Sequence, residues 1–415
     1  MDRPLLQGLR VLESSAFIAA PLAGMTLAQY GADVIRIDLT GGGIDYARQP
    51  LVPGGRSLYW TGLNKGKRSV VIDIRREEGR ELVQALACAP GAQAGVLLTN
   101  IGVPWLAHER LAQRRADLIS CTIEGNFDAS TAVDYTVNCA TGLPQITGAG
   151  SPDAPVNHVL PAWDIACAHQ AAFAVAAALV RRALTGEGAQ LRLALSDVAF
   201  STLSHLGMLA EAELLGVERK SLGNDLYGAF GKDFATRDGQ RVYVAAISLG
   251  QWKALVQACG LQAAVRQIEC AQGLDLALEG DRFAAREAIA AQVAAWCAAR
   301  DGAEVERAWS AHKVCWGRYQ SLQQALAGDA RCGLANPLFQ PLHTAGVGTH
   351  RVAGATVREV GAARAPVQPA PLLGQHTDQV LAEVLGLNDG AIGRLHAQGL
   401  VAGPEQDPLT PSASA

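Results

Sequence analysis

Asp164 stands where an extended segment, Val156 to Ala162, meets the first turn of a long alanine-rich helix. A carboxylate there can cap, accepting the orphan amide hydrogens of the first turn for about 1 kcal/mol. It can also be a nucleophile, because a helix N-terminus favours the ionised carboxylate and only that form attacks a carbonyl. The two readings are compatible. Ile165, Ala168, Ala172, Val175, Ala176 and Leu179 follow at three- and four-residue spacing, which predicts a buried stripe. Arg181 and Arg182, then Gly186, mark the helix end.

The elements before this helix suggest what positions it. A strand over 9–13 leads through a small-residue turn (14–20) to Pro21 and a helix reaching Tyr30. A second strand ends at Asp38, ahead of Gly41, Gly42 and Gly43. This is a mononucleotide-binding pattern, but Ser-Ser-Ala-Phe-Ile-Ala-Ala occupies the place of the glycine fingerprint, which counts against an ordinary NAD-dependent dehydrogenase. Strands at 69–74, 95–99, 117–123 and 190–195 alternate with helices at 77–87, 105–114 and 197–215. The fold expected is α/β, with an open, doubly wound, mostly parallel, Rossmann-like sheet. By the switch-point rule ligands sit at the strands' carboxyl ends, where Asp38, Asn100 and the segment after Ile123 fall.

Residues 217–233 break the rhythm with glycines and small polar residues. A hairpin turn at Asp238-Gly239, followed by helices near 249–259, 282–299 and 302–312, predicts a smaller α+β domain over 217–329. The large domain then comprises 1–216 and a returning part, 330–402, with helices near 377–386 and 389–398 and a disordered tail from Gly403.

With 415 residues, 49% hydrophobic and 18% charged, the chain can bury a sizeable core. A net charge of −4 without basic clusters argues against nucleic acid and membrane surfaces as partners. No apolar run is expected to span a membrane, and the first residues lack a signal peptide's apolar core. Nine dispersed cysteines without a C-x-x-C pair read as reduced cytoplasmic thiols, Cys167 among them as a small apolar helix residue. Nine dispersed histidines give no metal site.

Five blocks carry a family resemblance: Leu6 to Glu13, Tyr30 to Asp38, Gly66 to Asp73, the Asp164 helix, and Ala370 to Leu381. In this order they resemble the class III CoA-transferases (CaiB/BaiF type). The resemblance implies an acyl-CoA substrate, Asp164 as nucleophile, and coenzyme A carried transiently as an aspartyl thioester with no cofactor permanently bound. It also implies an interlocked homodimer. Ile18 and Ala19 match the turn that touches CoA, Ile72, Asp73, Ile74 and Arg75 the segment lining the adenine end, and Asn100 and Ile101 an Asn-Phe pair. Two departures stand out. Gly102-Val103-Pro104-Trp105 replaces a frequent Pro-Gly, and the glycine-run lid of formyl-CoA transferases is missing beyond 221.

A narrower likeness, carried by 41–46, 133–138, 156–165 and 226–234, implies transfer of CoA between the C1 and C4 carboxyls of mesaconate. Such a pocket needs oxyanion donors, for which the amides near Gly42 and Gly43 are candidates. It also needs a cation for the free carboxylate, for which Arg48 is the candidate, with Tyr135 and His158 as further polar groups. Lys65, Lys67 and Arg68 are candidates for CoA phosphates. The alternatives are intermolecular CoA transfer, an α-methylacyl-CoA racemase and a nucleotide-binding regulatory module. The racemase would need a histidine between His108 and His158, where there is none.

Overall fold

The computed structural model describes residues 4–148 and 154–410. The chain runs β1 (Arg10–Ser14), α1 (Ala19–Gln29), β2 (Asp33–Asp38), α2 (Leu58–Leu63), β3 (Arg68–Ile72), α3 (Glu77–Cys88) and β4 (Val96–Thr99). There follow α4 (His108–Ala112), β5 (Ile119–Glu124), α5 (Asp134–Ala140), α6 (Leu143–Ile146), α7 (Ala162–Thr185), β6 (Ala189–Ala194), α8 (Leu195–His205) and α9 (Met208–Leu215). Next come β7 (Phe230–Ala235), β8 (Arg241–Ala246), α10 (Leu249–Cys259), α11 (Gln262–Gln272), α12 (Glu279–Ala284), α13 (Arg286–Ala298), α14 (Gly302–Ala311), β9 (Trp316–Arg318) and α15 (Leu322–Gly328). A hairpin, β10 (Phe339–Thr344) and β11 (Gly348–Ala353), then leads to α16 (Thr377–Leu385), α17 (Asp389–Ala397) and the short β12 (Val401–Ala402).

Contacts divide these elements into two compact units. The first takes residues up to Thr141, Val159–Glu211 and the chain from Ala330. Its seven-stranded sheet has the order β12-β3-β2-β1-β4-β5-β6, with every pairing parallel except β12 against β3. Strand order reverses between β1 and β4, which opens the crevice at Ser14 and Thr99. Side chains alternate across the sheet. Leu12, Ile35, Val70 and Leu97 join Val83 and Leu86 of α3 and Val380 and Ile392 of α16 and α17 in one core. Glu13 points the other way, toward α1, where a Cβ on Gly24 would lie 1.7 Å from its Oε2. Glycine at 24 is what lets that carboxylate be buried under the helix.

The second unit takes Gly142–His158 and Ala212–Asp329. Its antiparallel sheet, β7-β8-β9, packs with α10, α13 and α14 through Phe230, Trp252, Val293 and Trp309. Ser248 caps α10 and exchanges hydrogen bonds with Gln251, which fixes that helix start. Segment 142–158 was expected in the large domain; it is tied here by Val156 N–H donating to Pro144 O (2.9 Å) and Gly223 N–H to Gly148 O (2.9 Å).

Two further expectations are corrected. The single helix over 197–215 breaks at Gly207, whose φ of +72° ends α8 and starts α9. The expected disordered tail is folded from Gly403 to Thr410, because Asp407 is buried against Arg56 (3.0 Å), Tyr46 Oη (2.8 Å) and the Leu373 amide (3.1 Å). Residues 411–415 lie outside the described residues. Helix α7 is long and apolar enough to cross a membrane by length and composition. It packs instead on α1, β5 and α8 through Cys167, Ala168, Ala171, Ala172, Val175 and Ala178, and carries Asp164, Arg181 and Arg182. Of the expected stripe, Ile165, Ala176 and Leu179 are only half-buried.

Candidate active site

The turn after β1 is built by a buried ionic cluster. Glu13 and Arg36 are register partners on β1 and β2, and their side chains pair at 3.2 Å. Arg36 also meets Asp38 at 2.8 Å and Asp45 at 3.7 Å, and Lys67 meets Glu13 at 2.8 Å. All five are buried. Burial alone would lower the Arg36 pKa, but the carboxylates of Asp38, Glu13 and Asp45 hold it above the usual value. Arg36 also donates to Ser15 O and Oγ, both at 3.1 Å. Asp45 Oδ2 accepts from the Phe17 amide at 2.8 Å, and Asn100 clamps Ala16 on both backbone groups (3.0 and 2.8 Å). Phe17 is thereby held at φ +65°, a conformation rare outside glycine. Ile18 and Ala19 start α1 immediately after it, and no side chain caps that helix.

Asp164 lies in the first turn of α7, and its surroundings differ from those expected. It is not the N-cap. Pro161 holds that position without a side-chain cap, and Asp164 is the third helical residue. The capping carboxylate comes from α5: Asp134 accepts from the Trp163 amide (2.7 Å) and the Asp164 amide (3.0 Å). Nor is the Asp164 carboxyl held low by the helix end. Burial, and then the like charge of Asp134, push the Asp164 carboxyl up to about 7.

Tyr59 on α2 completes the group. Burial first, against the opposing pull of Arg48, and then Asp164, Asp45 and Tyr135 push its phenol up to about 12. It is therefore a protonated donor at neutral pH. The Arg48 guanidinium lies 5.1 Å from the Tyr59 ring centroid and 5.7 Å from that of Phe17. No carboxylate pairs with Arg48 among the described residues. Gly42 has φ +92°, and a Cβ there would sit 2.4 Å from the Tyr46 ring, so the 41–46 loop folds tightly onto that tyrosine. Gly43 follows it in the same loop.

Asp164, Arg48 and Tyr135 are thus brought into one electrostatic neighbourhood. His158 belongs to the second compact unit. The Ile72 side chain is spent on the sheet core, while Asp73 and Arg75 pair with each other at 2.7 Å in the turn beyond it, with Ile74 between them. Asn100 spends its amide on Ala16, and the Ile101 amide donates to Thr99 Oγ1 at 2.9 Å. Lys67 is buried in the ionic cluster and Arg68 pairs with Asp33 and Glu383, so neither is the free phosphate ligand expected. Lys65 donates to Gly62 O. Sequence reasoning missed Asp134 although it is adjacent to Tyr135; an acidic residue opening a short helix was the available signal. Tyr59, on a six-residue helix without amphipathic period, left none.

The family model for CoA-transferase family III matches residues 6–377, and the chain belongs to that family. CoA thioesters are accordingly its substrate class. The chain is 49% identical over 404 residues to 2-methylfumaryl-CoA isomerase of Chloroflexus aurantiacus, covering 97% of this chain and 99% of that one. It is 29% identical to succinyl-CoA:mesaconate CoA-transferase of Haloarcula marismortui over 320 residues (71% and 76%). It is 25% identical to the human succinyl-CoA:glutarate CoA-transferase over 418 residues (95% and 90%). Among solved structures, a CAIB/BAIF family protein from Brucella suis aligns with a TM-score of 0.74 at 24% identity, over 92% of this chain and all of that one, a likeness of fold.

Proposed function

We propose that this enzyme moves CoA between the C1 and C4 carboxyls of mesaconate, interconverting 2-methylfumaryl-CoA and 3-methylfumaryl-CoA. The observation that carries this is the 49% identity, over nearly the whole of both chains, to an isomerase of that name. The site chemistry supports it. Ionised Asp164 attacks the C1 thioester carbonyl; the C–S bond breaks, leaving an aspartyl–acyl anhydride and CoA thiolate. The thiolate attacks the aspartyl carbonyl, expelling mesaconate as its C1 carboxylate and leaving an aspartyl-CoA thioester. The diacid turns, its C4 carboxylate attacks the thioester, and thiolate leaves. Thiolate then attacks the C4 carbonyl and frees Asp164. No net proton is taken up or released. Holding the diacid throughout replaces a bimolecular recapture, worth effective molarities on the order of 10⁵–10⁸ M.

In this reading Arg48 binds the carboxylate not in reaction, and Tyr59, Tyr135 and the amides near Gly42 and Gly43 face the oxyanions. CoA runs along the turn at Ile18 and Ala19 and past Asn100 and Ile101 to the Ile72–Arg75 segment, where exposed Arg75 can exchange Asp73 for phosphate. The acting form is a homodimer. Phe173, Val180 and Leu184 on α7, with Leu206 and Leu209 beyond it, form exposed apolar surface for a second copy to cover. The nine dispersed cysteines fit a reducing cytoplasm.

The test is mass spectrometry of enzyme incubated with 2-methylfumaryl-CoA and quenched with borohydride or hydroxylamine. The expected modification is on Asp164; a modification elsewhere overturns the assignment. Labelled free mesaconate added during turnover should stay out of the product thioester. Its incorporation would instead establish transfer between molecules.

A further inference from the structure

We propose that Asp134 is a positioning residue for Asp164: its carboxylate holds the open end of α7 and leaves the nucleophile beside a like charge instead of in the positive field of a free helix end. This deepens the proposed function and rests on Asp164 being the nucleophile. Asp134 is 1% exposed and begins α5. Its Oδ2 takes both the Trp163 and Asp164 amides, at 2.7 and 3.0 Å. One turn further along α5, Asn138 Oδ1 accepts from Trp163 Nε1 at 3.0 Å, so the same short helix grips the residue before the nucleophile at two points. With Pro161 as N-cap and no capping side chain of its own, α7 depends on α5 for this closure.

The groups facing Asp164 are few. From α5 there is Asp134, with Tyr135 next to it; from α2 there is Tyr59, with Arg48 over its ring. From α7 itself there is Cys167, which in turn neighbours Cys121 of β5. The residues of α1, which also packs on α7, include none that titrates. Among these the Asp134 carboxylate is the charge that acts on Asp164 most, after burial itself.

The arrangement helps the reaction. A carboxylate raised by a like charge is more basic and hence more nucleophilic. Acylation removes the negative charge from Asp164, so repulsion present in the free enzyme is relieved as the transition state forms, and relief of that kind lowers the barrier. A helix N-terminus left open would do the opposite, by stabilising the ground-state anion.

The test is Asp134→Asn, which keeps an oxygen acceptor for both amides and removes the charge. The acid limb of kcat/KM should lie near 7 in the native enzyme. In the variant it should move down by about one unit or more, while kcat on the alkaline plateau falls. Asp134→Ser, also a neutral capping residue, serves if the asparagine variant does not fold. An unmoved limb in a folded variant, with borohydride still trapping Asp164, overturns this proposal alone. A native limb below about pH 5, where an ordinary carboxylate would put it, overturns it without any variant. Trapping at a residue other than Asp164 in the native enzyme overturns the nucleophile reading and this proposal with it.

Discussion

Two sets of carboxylates in the first compact unit, far apart along the chain, are treated in opposite ways. Glu13, Asp38 and Asp45 converge on Arg36 and Lys67, each carboxylate paired with a cation in a buried cluster under α1. Asp134 and Asp164 share the end of α7, and beside that like charge the Asp164 carboxyl rises to about 7. Charge that is compensated builds the turn at Ala16 and Phe17. Like charge set beside a partly buried carboxylate raises its pKa instead. The difference teaches that burial alone does not decide what an acidic residue does; the sign of its nearest neighbour does.

The comparison breaks hardest at Asp164. Replacing it with alanine should lower isomerisation by on the order of 10⁴-fold or more, since removing a covalent nucleophile disables both half-reactions; a thioester-isomer assay checks this, and turnover near the native rate would end the proposal. In the compensated cluster, Arg36→Met strands the buried carboxylates of Asp38 and Asp45 and leaves Glu13 to Lys67 alone. The expected loss is about 3–5 kcal/mol of stability, read as a fall in the urea midpoint.

Arg48 tests a cation with no carboxylate partner. Arg48→Ala should cost roughly 10–100-fold in kcat/KM, the scale of a charge-assisted hydrogen bond, with the folded state little changed. A thioester lacking the distal carboxyl should show no such loss. The smallest effect is on stability. In the folded chain Asp164 has a carboxyl pKa raised from 3.8 to about 7, so the folded state binds more protons than the unfolded one in that window. Stability therefore falls as pH climbs through it, and is fully reduced above about 7. Asp164→Asn removes that cost. Discounted for the site's partial exposure, the gain should be on the order of 1–2 kcal/mol near pH 8 and absent near pH 4, measured as a shift in thermal midpoint at the two pH values.

Much of the scaffold was readable from local pattern. Short Val/Ile/Leu runs such as Val34 to Ile37 and Val96 to Leu98 are what a parallel strand buried on both faces requires, and they fell within a residue or two of the expected positions. The Asp164 helix was legible for the same reason, with Gly186 in the left-handed conformation ending it. Segment 142–158 carried no periodicity that assigned it to one unit or the other. The ordered stretch Gly403–Thr410 was misread because its anchor, Asp407, meets Tyr46 and Arg56 some 350 residues earlier, and composition says nothing of such a partner. The side chain of Asn100, expected beside a ligand, clamps Ala16, a role at a strand end that no local pattern signals.

By itself the sequence determined the sheet's strands, the helix that presents Asp164, and the family blocks that mark that aspartate, because these depend on period, turn chemistry and short motifs. Only the tertiary structure decided the state of that carboxylate. Whether a carboxylate at the start of a helix is stabilised or made basic depends on what reaches the helix end from elsewhere in the chain. Here that is Asp134, thirty residues upstream, which takes the amide hydrogens that Asp164 was expected to accept.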